Sequence, residues 1–224
     1  MIGERQFDAV LYGRPRNLAD KVQRSLERLL WFWPRVIDAT VWAAGDANKR
    51  QSPLNYTALD PDALLMLDWV ERVCPDRAAP ILDVGCNCGR HLIYLAGKGY
   101  QDLTGVDAMG SAIELFAKRA PAVFAGASVH HDLFQRFLAR QPSRRFELTY
   151  SHGSTIELVH PSFDIVAHLS RVTRSHICLI LHENEVFRRD WLRQFASRGF
   201  KLLHAARPIC PGVGNSLIVL KRSQ

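Results

Sequence analysis

The sequence predicts an α/β protein: a seven-stranded, mostly parallel sheet with an antiparallel last strand, preceded by an N-terminal helical cap. Three observations carry this. Residues 1–75 read as helices joined by an irregular stretch. Beyond Pro75 to Pro80, short apolar runs alternate with helical patterns, as a parallel sheet requires. The last two apolar runs have no helix between them, which marks an antiparallel pair. A length of 224 residues, 47% hydrophobic and 23% charged, suits one globular domain with an elaboration.

In the cap, Asn17 can cap a helix whose apolar residues Leu18, Val22, Leu26, Leu29 and Trp33 recur at helical spacing, up to Pro34. Residues 44–57 are polar and irregular. Asp60-Pro61, a cap followed by proline at the first helical position, opens a second helix that stops before Pro75. In the sheet region, strands are expected at 80–85, 103–107, 128–131, 146–151, 176–182, 201–205 and 216–221. Helices are expected at 90–98, 111–119, 163–172 and 190–198, with Gly99 and Gly199 just past the ends of the first and last. The boundary between cap and sheet domain is placed at residues 75 and 76.

No run reaches the ~18 apolar residues of a membrane span. Met1 to Val10 carries Glu4, Arg5 and Asp8 and lacks the apolar stretch of a secretory signal, so a cytoplasmic protein is expected. Five scattered cysteines fit reduced thiols rather than a disulfide scaffold. Cys86 and Cys88, one residue apart, are too close for a usual metal pair, and no metal is expected. The net charge is +7; residues 1–75 hold ten basic and ten acidic side chains, so the excess (nineteen against twelve) lies beyond them. A dispersed basic surface of this kind suits solvation or an anionic partner, nucleic acid included.

The chemistry concentrates in Ile81-Leu82-Asp83-Val84-Gly85-Cys86-Asn87-Cys88-Gly89-Arg90, a buried strand running through a glycine turn into a helix. Gly85 and Gly89 let backbone approach a ligand closely, Asn87 tolerates the left-handed conformation, and the helix start presents free N–H groups. Asp83 can accept from a ligand amine or a bound water. Asp107 ends the second strand eighteen residues after Gly89, placed for two ribose hydroxyls. His131-Asp132 follows the third strand, where a carboxylate could accept from an adenine amine. Cys86 in the turn, Ala108 after Asp107 and Ser151 at the end of the fourth strand belong to the same crevice at the strand tips. A nicotinamide dinucleotide would call for Gly-x-Gly-x-x-Gly, which is absent.

At these residues the sequence resembles the class I, Rossmann-like methyltransferases. Their first motif, Asp-x-Gly-x-Gly-x-Gly, is met by Asp83 to Gly89 with Asn87 in place of the middle glycine, and their second and third acids align with Asp107 and Asp132. The resemblance covers roughly residues 78–222. It implies S-adenosylmethionine as methyl donor and S-adenosylhomocysteine as product, with Asp107 on the ribose, Asp132 facing the adenine and Gly85 beneath the methionine moiety.

Methyl transfer needs an acceptor held close and, for a hydroxyl or ammonium, a base. The loop after the fourth strand is the place for both. His152 is the first candidate base, titrating near neutrality, and His160 the second, although His160 before Pro161 equally fits a loop or capping role. Glu157, with His182 and Glu183 after the fifth strand, are candidate acceptor ligands; Glu185 fits a solvated loop better. Tyr56 is a candidate to close the cofactor site, a packed loop tyrosine being the alternative. Trp31, Phe32, Trp33 and Trp42 fit a core between cap and sheet better than a stacking platform.

The resemblance also narrows the acceptor. The Asn/Asp-Pro-Pro-aromatic signature of base-amino methylation is missing, that place reading Ser151-His152-Gly153-Ser154. No cysteine nucleophile stands in the loops after strands four or five, and Glu157 lacks the second glutamate of protein-arginine enzymes. A small molecule with a hydroxyl or amine, such as a sugar or other biosynthetic metabolite, is therefore expected. An RNA-modifying enzyme and a non-catalytic methyltransferase-like binding subunit remain the alternatives.

Overall fold

The computed structural model describes residues 52–153, 156–159, 163–182, 190–206 and 215–223, together with Leu18 and Val22. The helix expected from Asn17 lies outside them except for those two residues, both helical and exposed. Trp31, Phe32, Trp33 and Trp42 also lie outside the described residues.

All seven expected strands form one sheet: β1 (Ile81–Val84), β2 (Leu103–Asp107), β3 (Ser128–His131), β4 (Phe146–His152), β5 (Thr173–His182), β6 (Phe200–Ala206) and β7 (Asn215–Arg222). Their order is β3-β2-β1-β4-β5-β7-β6. The pairs from β3 through β5 are parallel, and β7 runs antiparallel to both β5 and β6. The closing hairpin is thus folded inward: β7 lies between β5 and β6, and β6 forms the edge. This follows from the residues. β7 is buried along Ser216 to Leu220, whereas β6 exposes Lys201 to Leu203.

Helices cover both faces. On one face lie α1 (Pro61–Val73), α2 (Arg90–Gly97), α3 (Gly110–Arg119) and α4 (Pro121–Gly126); on the other lie α5 (Phe134–Arg140), α6 (Ile165–Val172) and α7 (Trp191–Ala196). The short helices α4 and α5 have no counterpart in the sequence reading. Three helices start at an aspartate that accepts a backbone N–H of the first turn: Asp60 from Ala63 (2.7 Å), Asp164 from Ala167 (2.9 Å) and Asp190 from Arg193 (3.0 Å). In α1, Met66, Leu67 and Val70 are fully buried in a core shared with Ile81, Tyr150, Cys178 and Val219. This helix therefore covers the middle of the sheet. Across the sheet, Leu82, Val84, Phe137, Leu169, Leu179 and Phe195 build the second core.

Strand order reverses between β1 and β4, and at such a point the tips of the two strands part to leave a crevice. β1 delivers Asp83 and the glycine turn to one wall, and β4 delivers Ser151 and His152 to the other.

Candidate active site

The turn after β1 is built by backbone geometry that few sequences permit. Gly85, Asn87 and Gly89 all take positive φ (81°, 47° and 73°). Asn87 stands where a third glycine is usual, and its side chain explains why it suffices. Its Oδ1 accepts from Cys88 N at 2.7 Å, so the residue caps its own left-handed turn. At Gly89 an added Cβ would stand 2.5 Å from the ring of Phe116.

Asp107 closes this turn from β2. Its Oδ2 accepts from Asn87 N and its Oδ1 from Met109 N, each at 2.8 Å. The carboxylate thus fixes the turn and its own loop at the crevice mouth. Burial outweighs these hydrogen bonds and lifts the carboxyl above its usual range. Ala108 O and His131 Nε2 lie 3.1 Å apart, joining the loops after β2 and β3. Asp132 meets Arg136 (2.9 Å) and Arg140 as well as Leu133 N (2.8 Å). Burial alone would raise this carboxyl, but those donors outweigh it and hold it below the usual carboxylate range.

Asp83 differs. It is fully buried, and neither carboxylate oxygen has a hydrogen-bond partner among the described residues. The Tyr150 hydroxyl, equally buried, has none either. Burial first, then the charge of Asp83, push the Tyr150 phenol well above its ordinary value. A buried carboxylate without donors is costly, and a ligand or water that brings donors relieves it.

On the β4 side, Ser151 Oγ donates to Val84 O at 2.8 Å, tying β4 to β1. His152 Nδ1 lies 2.9 Å from Arg90 Nη2 and 3.4 Å from His91 Nε2. A guanidinium can only donate, so the Nδ1 lone pair of His152 is its acceptor. Burial, with His91 and Arg90 adding positive charge, lowers the His152 pKa to about 3. A ring this weakly basic, with that lone pair held by Arg90, is poorly placed to be the general base expected from the sequence. Its geometry suits a neutral polar wall. Glu157 is buried and accepts from His182 N at 2.7 Å, fastening the loop after β4 to the end of β5. His160, Glu183 and Glu185 lie outside the described residues.

Three residues that the sequence reading did not assign to the site complete it. Arg90 reaches Ala58 O (2.6 Å) and Asp60 Oδ2 (3.0 Å) as well as His152. His91, almost fully buried, has Nδ1 3.6 Å from Asp83 Oδ2. Asp60 Oδ1 lies 4.0 Å from His152 Nε2. A segment over residues 52–60 thereby crosses the turn. It includes a 3₁₀ turn, Pro53–Tyr56, and two further contacts hold it: Cys88 Sγ to Tyr56 O (3.2 Å) and Arg119 Nη2 to Thr57 O (2.9 Å). Tyr56 itself is half-exposed, and burial pushes its phenol up against the opposing pull of Arg90.

The reversed strand order with β7 inserted before β6, and a left-handed turn facing an acid at the tip of β2, are those of the Rossmann-like methyltransferase fold. Residues 81–176 match the family model for the methyltransferase domain. Among solved structures, the chain resembles a TehB-like SAM-dependent methyltransferase from Corynebacterium glutamicum at 17% identity, TM-score 0.60, covering 80% of this chain and 97% of that one. It resembles magnesium protoporphyrin IX methyltransferase from Synechocystis with bound S-adenosylmethionine at 13% identity, TM-score 0.58, over 89% and 91% of the two chains. It resembles geranyl diphosphate C-methyltransferase from Streptomyces coelicolor, in complex with S-adenosylhomocysteine, at 12% identity, TM-score 0.58, over 71% and 78%. At these identities the likeness is one of fold. No curated protein sequence matches the chain. The fold is that of S-adenosylmethionine-dependent methyltransferases, and residues 81–176 match the model of their domain.

Proposed function

We propose that the protein methylates a small molecule bearing a hydroxyl or amine, with S-adenosylmethionine bound at the turn after β1. One observation carries the choice of a small acceptor. The segment over residues 52–60 is held across the turn by Cys88, Arg90 and Arg119, so the crevice is roofed. A roofed crevice suits a compact acceptor better than a polymer. Two of the similar proteins have small molecules, geranyl diphosphate and magnesium protoporphyrin IX, in their names. Charge placement adds to this: Arg144, Arg145, Arg174 and Arg222 stand at or beside the opposite ends of β4, β5 and β7, away from the turn.

The donor-free carboxylate of Asp83 and the backbone of Gly85, free of Cβ, fit a cofactor carrying an ammonium and a flat nucleoside. When bound, S-adenosylmethionine supplies a methyl group already activated on sulfur. Asp83 then receives the ammonium end, Asp107 takes the ribose hydroxyls while holding the turn, and Ala108 and His131 border the base. Asp132 faces the adenine if Arg136 or Arg140 yields one carboxylate oxygen. Tyr56 and its neighbours exclude water. His152 orients the acceptor as a neutral ring, and His182 borders it from the end of β5. Proton removal falls to His160.

Calorimetry with S-adenosylhomocysteine, followed by a screen of hydroxylated and amine metabolites with labelled donor, tests this. Micromolar binding and transfer to a small acceptor are expected. Absence of binding overturns the cofactor assignment. Transfer to RNA alone, with binding that falls steeply as salt rises, overturns the acceptor assignment.

A further inference from the structure

One side chain outside the Asp83–Gly89 motif stands against both Asp83 and His152. His91 is the second residue of α2, just after the glycine turn. It is 4% exposed and sits edge-on to Tyr150 (ring centroids 5.8 Å) and tilted against His152 (5.3 Å). Its ring nitrogens point opposite ways: Nδ1 lies 3.6 Å from Asp83 Oδ2 on the β1 wall, and Nε2 lies 3.4 Å from His152 Nδ1 on the β4 wall.

We propose that His91 is a positioning residue that couples Asp83, on the cofactor side, to His152, on the acceptor side. This rests on the cofactor assignment above. The physical reason is competition for hydrogen-bonding capacity. The oxygens of Asp83 make no well-formed hydrogen bond among the described residues; the Tyr150 hydroxyl faces them, and His91 Nδ1 stands 3.6 Å from Oδ2, just beyond hydrogen-bonding range. A ligand group that donates to Asp83 removes the pull on His91 Nδ1. The ring then settles toward His152, whose Nδ1 is shared between His91 and Arg90. Arg90 in turn holds Ala58 O and Asp60, so the shift is felt where the 52–60 segment is anchored. Occupation of the cofactor wall thus changes how firmly His152 is held before any acceptor arrives.

The test is a set of S-adenosylhomocysteine dissociation constants for the whole chain and for Asp83→Asn, His152→Gln and the double variant, each with His91 intact and as His91→Phe. With His91 intact, the two substitutions are expected to be non-additive by at least about threefold, as for residues of one network. In the His91→Phe background the non-additivity is expected to vanish. His91→Gln, which keeps a donor and an acceptor, should restore part of it, an outcome that a purely space-filling role would not give. Where Asp83→Asn binds too weakly to titrate, the ¹³C-labelled ring of His152 is followed by NMR during ligand addition; its resonance should move in the native protein and hold still in His91→Phe. Additive effects in the native background, or a coupling or shift unchanged by His91→Phe, overturn the proposal. Failure of the native protein to bind S-adenosylhomocysteine at all overturns the cofactor assignment instead. Melting curves identify a His91→Phe protein that does not fold, and His91→Asn then takes its place in the same comparison.

Discussion

The carboxylate of Asp107 satisfies the N–H groups of Asn87 and Met109, and in the proposed function it also takes the ribose hydroxyls. Replacing it by alanine removes both. Asp107→Ala is expected to weaken S-adenosylhomocysteine binding by roughly 1–3 kcal/mol, the usual cost of losing charge-assisted hydrogen bonds. Titration calorimetry reads this directly, and unchanged affinity would remove Asp107 from the cofactor site. His152 makes a different forecast. Its pKa is lowered from 6.5 to about 3, so the unfolded chain takes up a proton that the folded one refuses. The stability it contributes is fully present above the unfolded value and is lost as pH falls toward the folded one. Melting temperature should therefore decline from about pH 6.5 downward, and His152→Gln should flatten that decline. An identical slope in the variant would show that the ring is not held neutral by burial.

The glycine turn and the helix behind it are one packed element. Gly89 has a left-handed φ of 73°, and Phe116 of α3 is fully buried against it. Gly89→Ala is expected to cost about 1–3 kcal/mol through backbone strain and overpacking, read as a lower urea midpoint with an unchanged slope. This element was legible in the sequence because its signal is local: glycines, an asparagine and an acid at fixed spacing on a strand-to-helix joint. The strands were legible for the same reason, as apolar runs bounded by turn residues. The helices α4 and α5 were not. They have six and seven residues, shorter than the window over which helical periodicity can be read, and no side chain caps them. Arg90, His91 and Asp60 were missed on other grounds. Apart from that of His91 with Asp83, their contacts across the site span 30 to 62 positions of chain, and no spacing rule reaches that far. One hint existed: His91 stands beside Leu92 and one turn before Leu95, on the buried side of α2. A histidine on an apolar stripe asks for a polar partner, and here it has two.

At the scale of the molecule, the cover of the sheet does not begin at β1. α1 packs Met66, Leu67 and Val70 into the core beside Tyr150, Cys178 and Val219, and Asn215 Nδ2 donates to Asp62 Oδ2 at 2.8 Å. A protein shortened to begin at residue 76 would bare that apolar surface; it is expected to aggregate, whereas one beginning at residue 52 should give a monodisperse peak on gel filtration. Equal behaviour of the two would mean that α1 is an accessory. Among the described residues, no helix is long and apolar enough to cross a membrane. The inward fold of the last hairpin has its own consequence. Because β7 runs against its neighbours, Ala206 at the end of β6 and Asn215 at the start of β7 stand at the same rim as the tips of β4 and β5. In the proposed function that rim is split in two: β1 to β3 bear most of the residues assigned to the methyl donor, and β4 to β7 bear those assigned to the acceptor. New acceptors can be sampled by varying the later half while the earlier half stays fixed, a division of labour that lets one scaffold diversify in chemistry.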